Sequence, residues 1–301
     1  MIVGDLEGEA LARLLSGPGL RLRTGPVVTR ITSPLDDVAH GVGLLYRDHP
    51  VDEGFADFHV RIDRPAGLRR WLKPQVQFRF DGWPPFYPLP GDQGFPILEW
   101  GMNWCVSTTC HQYLIVHAAV VERGGKALIL PAPPGSGKST LCAGLVHRGW
   151  RLLSDELTLL DPGSGQVMPV PRPVSLKNAS IEVIGRFAPQ SVLSPTVHDT
   201  LKGSVAHMKP PVESVHRALE GAAPRWLVLP RYRAGAQARL EPLPKGRAFM
   251  HLVESAFNYH LHGRGGFEVI GCAIEACDCF EFAYGDLEEA ATVFAELADR
   301  P

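Results

Sequence analysis

A lysine, a serine and two adjacent carboxylates stand at spacings suited to holding and moving a phosphoryl group. The run Ala132-Pro133-Pro134-Gly135-Ser136-Gly137-Lys138-Ser139-Thr140 is a glycine-rich loop that ends in Lys-Ser-Thr. Gly135 and Gly137 free the backbone to turn successive N–H groups toward an anion. Lys138 supplies a point charge for the outer phosphates of a nucleoside triphosphate, and the Ser139 hydroxyl suits Mg²⁺. Pro134, Gly135, Ser136, Gly137, Lys138, Ser139 and Thr140 are therefore the expected nucleotide-binding set. Ala132 replaces the usual first glycine of the pattern, which predicts ordinary backbone angles where the loop begins.

The flanking elements fit this chemistry. Lys126–Pro131 is apolar enough for a buried strand, and Leu141–Arg148 reads as a helix stopped by Gly149. Strand, loop, Lys-Ser-Thr and helix in that order are the context in which the pattern has meaning. The helix beginning near Lys138 adds the positive end of its dipole. One helix later, Arg151-Leu152-Leu153-Ser154 delivers Asp155 and Glu156 at a strand end. Such an acid binds Mg²⁺ or accepts a proton from an attacking hydroxyl; the plainer alternative is a solvated charge pair at a turn. Leu114–Val121 reads as one strand, joined to the loop strand by the turn Glu122–Lys126, and the hairpin brings His117 toward the phosphates.

From His117 to Asp161 the sequence resembles the catalytic domain of bacterial HPr kinase/phosphorylase, whose core is similar to that of phosphoenolpyruvate carboxykinase. The shared features are His117, then Gly135-Ser136-Gly137-Lys138-Ser139, then a leucine-rich helix closed by Arg148-Gly149, then Arg151-Leu152 and the acidic pair Asp155-Glu156. The resemblance implies Asp155 as catalytic acid/base, Glu156 as the second acid and His117 beside the base. It implies ATP and Mg²⁺ as cofactors, with Ser139, Asp155 and Glu156 as metal ligands. After the acidic pair this chain departs from the family's glycine-rich signature and has Val170-Pro171-Arg172-Pro173-Val174-Ser175-Leu176-Lys177-Asn178. That stretch is similar to the HPr-kinase-related kinases, a group that includes kinases of ribosomal peptides. Arg172 and Lys202 are expected to offset phosphoryl charge, with Lys177, Lys209 and His207 as weaker candidates.

The remaining sequence sets the frame. A chain of 301 residues suggests about two domains. The expected architecture is α/β: a P-loop kinase core of the HPr kinase/phosphoenolpyruvate carboxykinase type over 94–301, preceded by a β-rich α+β domain over 1–93. In the first part, residues 5–16 read as a helix, and Leu20–Arg23, Val27–Ile31, Gly43–Tyr46, Phe58–Ile62 and Val76–Phe80 as strands. Residues 94–110 carry a helical stripe. Toward the end, Arg225–Pro230 and Cys279–Tyr284 read as strands, Arg247–Asn258 and Phe267–Ala276 as helices, and Asp286 as the N-cap of a last helix. Asn258, Tyr259, His260 and Arg264 border a glycine-rich loop and are possible substrate contacts.

Net charge is -2, so electrostatics implies no nucleic-acid partner. The N-terminus lacks a basic segment followed by an apolar one, no apolar run approaches the roughly 20 residues of a membrane span, and the six cysteines contain no C-x-x-C pair. The expectation is a cytoplasmic protein with reduced thiols. Its expected partners are a nucleotide and a hydroxyl-bearing acceptor; self-association stays open. The acceptor is either a serine of a peptide or small protein or a small-molecule alcohol. A nucleotide-gated switch without an acceptor is the alternative from another class.

Overall fold

Two layered units share this chain in a computed structural model that describes residues 1–6, 8–67 and 72–300. Glu7, inside the expected first helix, lies outside the described residues. The first unit contains α1 (Gly8–Ser16), β1 (Leu20–Thr24), β2 (Val27–Thr32), α2 (Asp36–Leu45), β3 (Phe58–Asp63), β4 (Gln75–Phe80), β5 (Leu89–Pro90) and α3 (Gly94–Thr109). Its sheet runs β1-β2-β3-β4-β5. Strands β2 and β3 are parallel because α2 carries the chain across, and the other pairs are antiparallel. In β3, Phe58, Val60 and Ile62 are buried while His59 and Arg61 face solvent, the period-2 pattern of a sheet covered on one face.

One expectation fails here. Gly43–Leu45 is the end of helix α2, with Tyr46 as its C-cap, and not a strand. Val38, Val42 and Leu45 recur at helical spacing and are buried, and that burial outweighs the poor helix propensity of Gly41 and Gly43. Gly41 has a use of its own: a Cβ there would stand 2.2 Å from the Phe95 ring, so only glycine lets α2 approach α3. Helix α3, which the expected boundary between residues 93 and 94 assigns to the second domain, packs its Ile97, Leu98, Met102 and Cys105 into one core with Phe78 and Ile62 of the first sheet, and Ile115, Leu157 and Leu159 join the same core.

The second unit adds β6 (Leu114–Val116), β7 (Ala118–Arg123), β8 (Lys126–Pro131), α4 (Lys138–Val146), β9 (Arg151–Ser154), β10 (Thr158–Leu160), β11 (Val167–Met168), β12 (Val174–Lys177) and α5 (Ala179–Phe187). It continues through β13 (Val197–Thr200), β14 (Gly203–Met208), α6 (Val212–His216), β15 (Ala223–Tyr232) and β16 (Arg239–Pro242). It closes with α7 (Lys245–Ser255), α8 (Tyr259–His262), α9 (Arg264–Ala276), β17 (Asp278–Tyr284) and α10 (Leu287–Ala298). The large sheet has the order β16-β17-β15-β8-β7-β9, with β17, β15 and β8 parallel. Leu128 and Leu130 of β8 pack toward α4 and α10, while Ala127 and Ile129 pack into the core that holds α7 and α9. A strand covered on both faces explains the unbroken apolar run in its sequence. Asp286 caps α10 as expected, accepting from the N–H groups of Glu288 and Glu289.

Two small sheets, β11-β10-β6 and β12-β14-β13, lie beside the large one. The expected single strand over 114–121 is two strands broken at His117, because β6 pairs with β10 while β7 pairs with β9. The same split separates β9 from β10 at Asp155-Glu156-Leu157. His117 and the acidic pair thus occupy one seam, where two sheets part. Among the described residues no helix is long and apolar enough to cross a membrane.

Candidate functional site

The glycine-rich loop leaves β8 and turns through Gly135 and Gly137 at φ 84° and 88°, in the left-handed region. Ala132, buried at the loop entrance, is not among the left-handed residues, as its side chain predicts. At Gly137 a Cβ would stand 2.4 Å from the Tyr284 hydroxyl oxygen and 2.9 Å from Cβ of Tyr232. Both tyrosines hold the loop: Tyr284 O–H donates to the Gly137 carbonyl at 2.9 Å, and Tyr232 N–H donates to the Ser136 carbonyl at 2.9 Å. The ends of β17 and β15 therefore fix the loop from one side.

Helix α4 begins at Lys138 with Gly137 as N-cap, so no side chain satisfies its first amides. Those amides and the helix dipole favour an anion. Lys138 is 7% exposed, and its Nζ has no hydrogen-bond partner. Burial pulls its pKa down, opposed by the Glu156 and Asp155 charges. An ammonium buried without a partner is costly, and an anion in the cradle would remove that cost. The loop, including Pro134, Ser136, Ser139 and Thr140, lines a cleft of about 1060 Å³. The cleft could hold a nucleoside triphosphate.

The acidic pair splits its tasks. Ser154 Oγ accepts from Leu157 N–H at 3.1 Å and turns the chain sharply after β9. Glu156 then faces the cleft, with Oε2 3.1 Å from His117 Nε2 and Oε1 3.7 Å from Lys177 Nζ. Burial works to raise its pKa, but the His117 bond and the Lys177 and Lys138 charges outweigh it and hold Glu156 well below the usual carboxylate range. Asp155 lies behind, 3% exposed, with Oδ2 accepting from Ser175 N–H at 3.1 Å. Burial first, and then the Glu156 charge, push its pKa up to about 6. One acid is thus fixed as an anion and its neighbour is poised to take a proton.

Magnesium commonly binds through one or two carboxylates plus substrate phosphates. Ser139 and Glu156 line the cleft and match that partial donor set, whereas Asp155, expected as a third ligand, lies buried behind them. Among the described residues no group of three or more His, Cys, Asp and Glu side chains could hold a metal without such help.

Other expected residues are placed as follows. His117 contacts Glu156 and not Asp155, so it stands beside the second acid. Lys202 lines the cleft with Nζ 4.8 Å from the centre of the Trp100 ring. The residue is exposed as a whole, yet desolvation first, and then the Lys177 charge, lower its pKa. Arg172 does not reach the cleft. Its guanidinium donates to Glu99 Oε2 at 2.6 Å, to Asn103 Oδ1 at 2.7 Å and to Tyr46 Oη at 3.2 Å, a buried clamp onto α3 and α2. Its donors are committed to the first unit, which corrects the expectation of a phosphate ligand. Lys209 pairs with Asp48 at 2.6 Å, away from the cleft. Asn258 is buried, donating to the Tyr113 carbonyl and accepting from Ile115 N–H, and neither it nor Tyr259, His260 or Arg264 lines the cleft. Sequence reasoning singled out neither Ser175, whose N–H holds Asp155, nor the clamping Tyr232 and Tyr284; each acts through the fold and carries no local motif.

No protein-family model matches the chain, and no curated protein matches it. Among solved structures it is similar to the HPr(Ser) kinase/phosphatase from Coxiella burnetii. The two are 12% identical, the match covers 61% of this chain and 96% of that one, and the TM-score is 0.27. A superposition that loose leaves function to the site itself.

Proposed function

We propose that this chain is an ATP- and Mg²⁺-dependent kinase that transfers the γ-phosphoryl group to a hydroxyl, with a serine of a peptide or small protein as the favoured acceptor. One observation carries the reading. A buried, unpartnered Lys138 ammonium sits in a glycine-turned cradle, and an acidic pair with divergent proton affinities lies within its electrostatic reach. Bound ATP–Mg²⁺ supplies the activated phosphoryl group. Lys138 and the free amides of α4 hold phosphate oxygens, and Ser139 and Glu156 offer oxygen ligands to the metal. Asp155 takes the acceptor's proton. Lys177 and Lys202 face the negative charge that builds during transfer. The cleft, at about 1060 Å³, stands at the upper end of the roughly 300–1,000 Å³ of common small-ligand pockets, a size suited to a nucleoside triphosphate. All six cysteines are free thiols, in keeping with a cytoplasmic setting.

The test is transfer of label from γ-labelled ATP with Mg²⁺ into candidate peptides and alcohols. Label should appear on an acceptor hydroxyl, with little phosphate released before an acceptor is added. Full-rate phosphate release that ignores every acceptor contradicts the kinase and favours a nucleotide switch.

A further inference from the structure

We infer that one ordered water sits behind Asp155, bound by Trp100, Ser175 and His207, and that these residues position the Asp155 carboxyl. The inference rests on the reading of Asp155 as proton acceptor. A cavity of about 20 Å³ adjoins the cleft, and its walls include Trp100 of α3, Asp155, Ser175 of β12 and His207 of β14. Each of these four residues carries a buried polar atom without a hydrogen-bond partner: Trp100 Nε1, Asp155 Oδ1, Ser175 Oγ and His207 Nε2. Asp155, Ser175 and His207 are 3%, 6% and 1% exposed. Ser175 and His207 are partners in the β12–β14 register, which sets their side chains at one place.

The room and the bonding both suit water. One water needs about 10–15 Å³ and two to four polar partners. Trp100 Nε1 can only donate, and an ionised Asp155 can only accept. Burial holds His207 neutral, with its pKa pushed down to about 4, so one ring nitrogen can accept. A single water accepting from Trp100 and Ser175 while donating to Asp155 and His207 satisfies all four. A metal cation is opposed by the indole N–H and the Arg172 guanidinium on the wall, and an anion by the three carboxylates there, Glu99, Asp155 and Glu156.

Ser175 then acts on Asp155 twice, through its N–H on Oδ2 and through the water on Oδ1. Both oxygens are oriented, and the carboxylate keeps lone pairs for a proton. Trp100 also lies beneath Lys202, and the Arg172 clamp holds α3 against the strand entering β12. The first unit is thereby the back wall of the site.

A wild-type crystal structure near 1.5 Å, with the full chain, should show a water within hydrogen-bond reach of Asp155 Oδ1, Ser175 Oγ and Trp100 Nε1. Ser175→Ala keeps the backbone bond to Asp155, and Trp100→Phe keeps a ring beneath Lys202. Each should lower kcat about 2–10-fold with KM for ATP unchanged, and the double variant should lose no more than the worse single one, since both remove the same water. A dry cavity, or losses that multiply, overturns the inference. Asp155→Asn in the same assay separates the two claims: near wild-type transfer there removes the proton acceptor, whereas a large loss beside a dry cavity removes only the water.

Discussion

His117 Nε2 lies 3.1 Å from Oε2 of Glu156, and that contact joins the two strand breaks of the seam. The histidine thus serves the acid that faces the cleft and leaves the buried one to Ser175.

Replacing His117 should therefore act on the metal side of the site. His117→Ala removes one hydrogen bond from Glu156, whose other partner is Lys177 at 3.7 Å. We expect kcat to fall by no more than about 10-fold, with the Mg²⁺ concentration for half-maximal rate displaced. A Mg²⁺ titration of the rate reads both. A loss as large as that from removing the base, with Mg²⁺ dependence untouched, contradicts this placement.

Lys138→Met keeps the stem and removes the ammonium. Nucleotide affinity should weaken by at least about 10-fold, the value of a hydrogen bond to a charged group. Stability should hold or rise, because the lost charge is buried and unpartnered. Calorimetric ATP–Mg²⁺ binding and thermal melting are measured on the same sample. Unchanged affinity ends the phosphate-cradle reading.

Arg172→Met should damage the fold before the chemistry. It strands Glu99, 3% exposed, without its cation. Breaking one partner of a buried pair costs about 3–5 kcal/mol, and urea unfolding would show it. A variant of normal stability that cannot transfer phosphate would return Arg172 to the reaction.

The pH dependence of stability tests the environment of Asp155 without nucleotide or metal. Its folded pKa, about 6, lies above the ordinary 3.8. The native state therefore binds this proton more tightly than the unfolded state, and stability from this group is lost as pH rises from about 4 through 6. Asp155→Asn should be more stable than wild type at pH 8, by an amount of order 1–3 kcal/mol. The gap should close as pH falls toward 4. Denaturant curves of both proteins at several pH values decide it, and a gap that widens in acid reverses the sign.

The loop, its strand and helix, the acidic pair and the cap at Asp286 were legible because each is local and encoded within a few residues. The end of α2 was not, since Gly41 and Gly43 resemble a turn until Phe95 is seen filling the space that Gly41 leaves. Arg172 was misread for a related reason. Its partners Glu99 and Tyr46 are 73 and 126 residues away, and nothing near Arg172 announces them. The break at His117 depends on which strand each half pairs with, a long-range choice in an unbroken apolar run.

The most direct measurement compares Asp155→Asn with Glu156→Gln in phosphoryl transfer to an identified acceptor, with ATP binding followed in parallel. General-base catalysis contributes roughly 10²–10⁴-fold. Asp155→Asn should lower kcat by about that factor and change ATP affinity far less, while Glu156→Gln should act mainly on the Mg²⁺ requirement. Near wild-type transfer by Asp155→Asn, with the large loss falling on Glu156→Gln instead, would show that the acid facing the cleft is the base and would contradict the assignment.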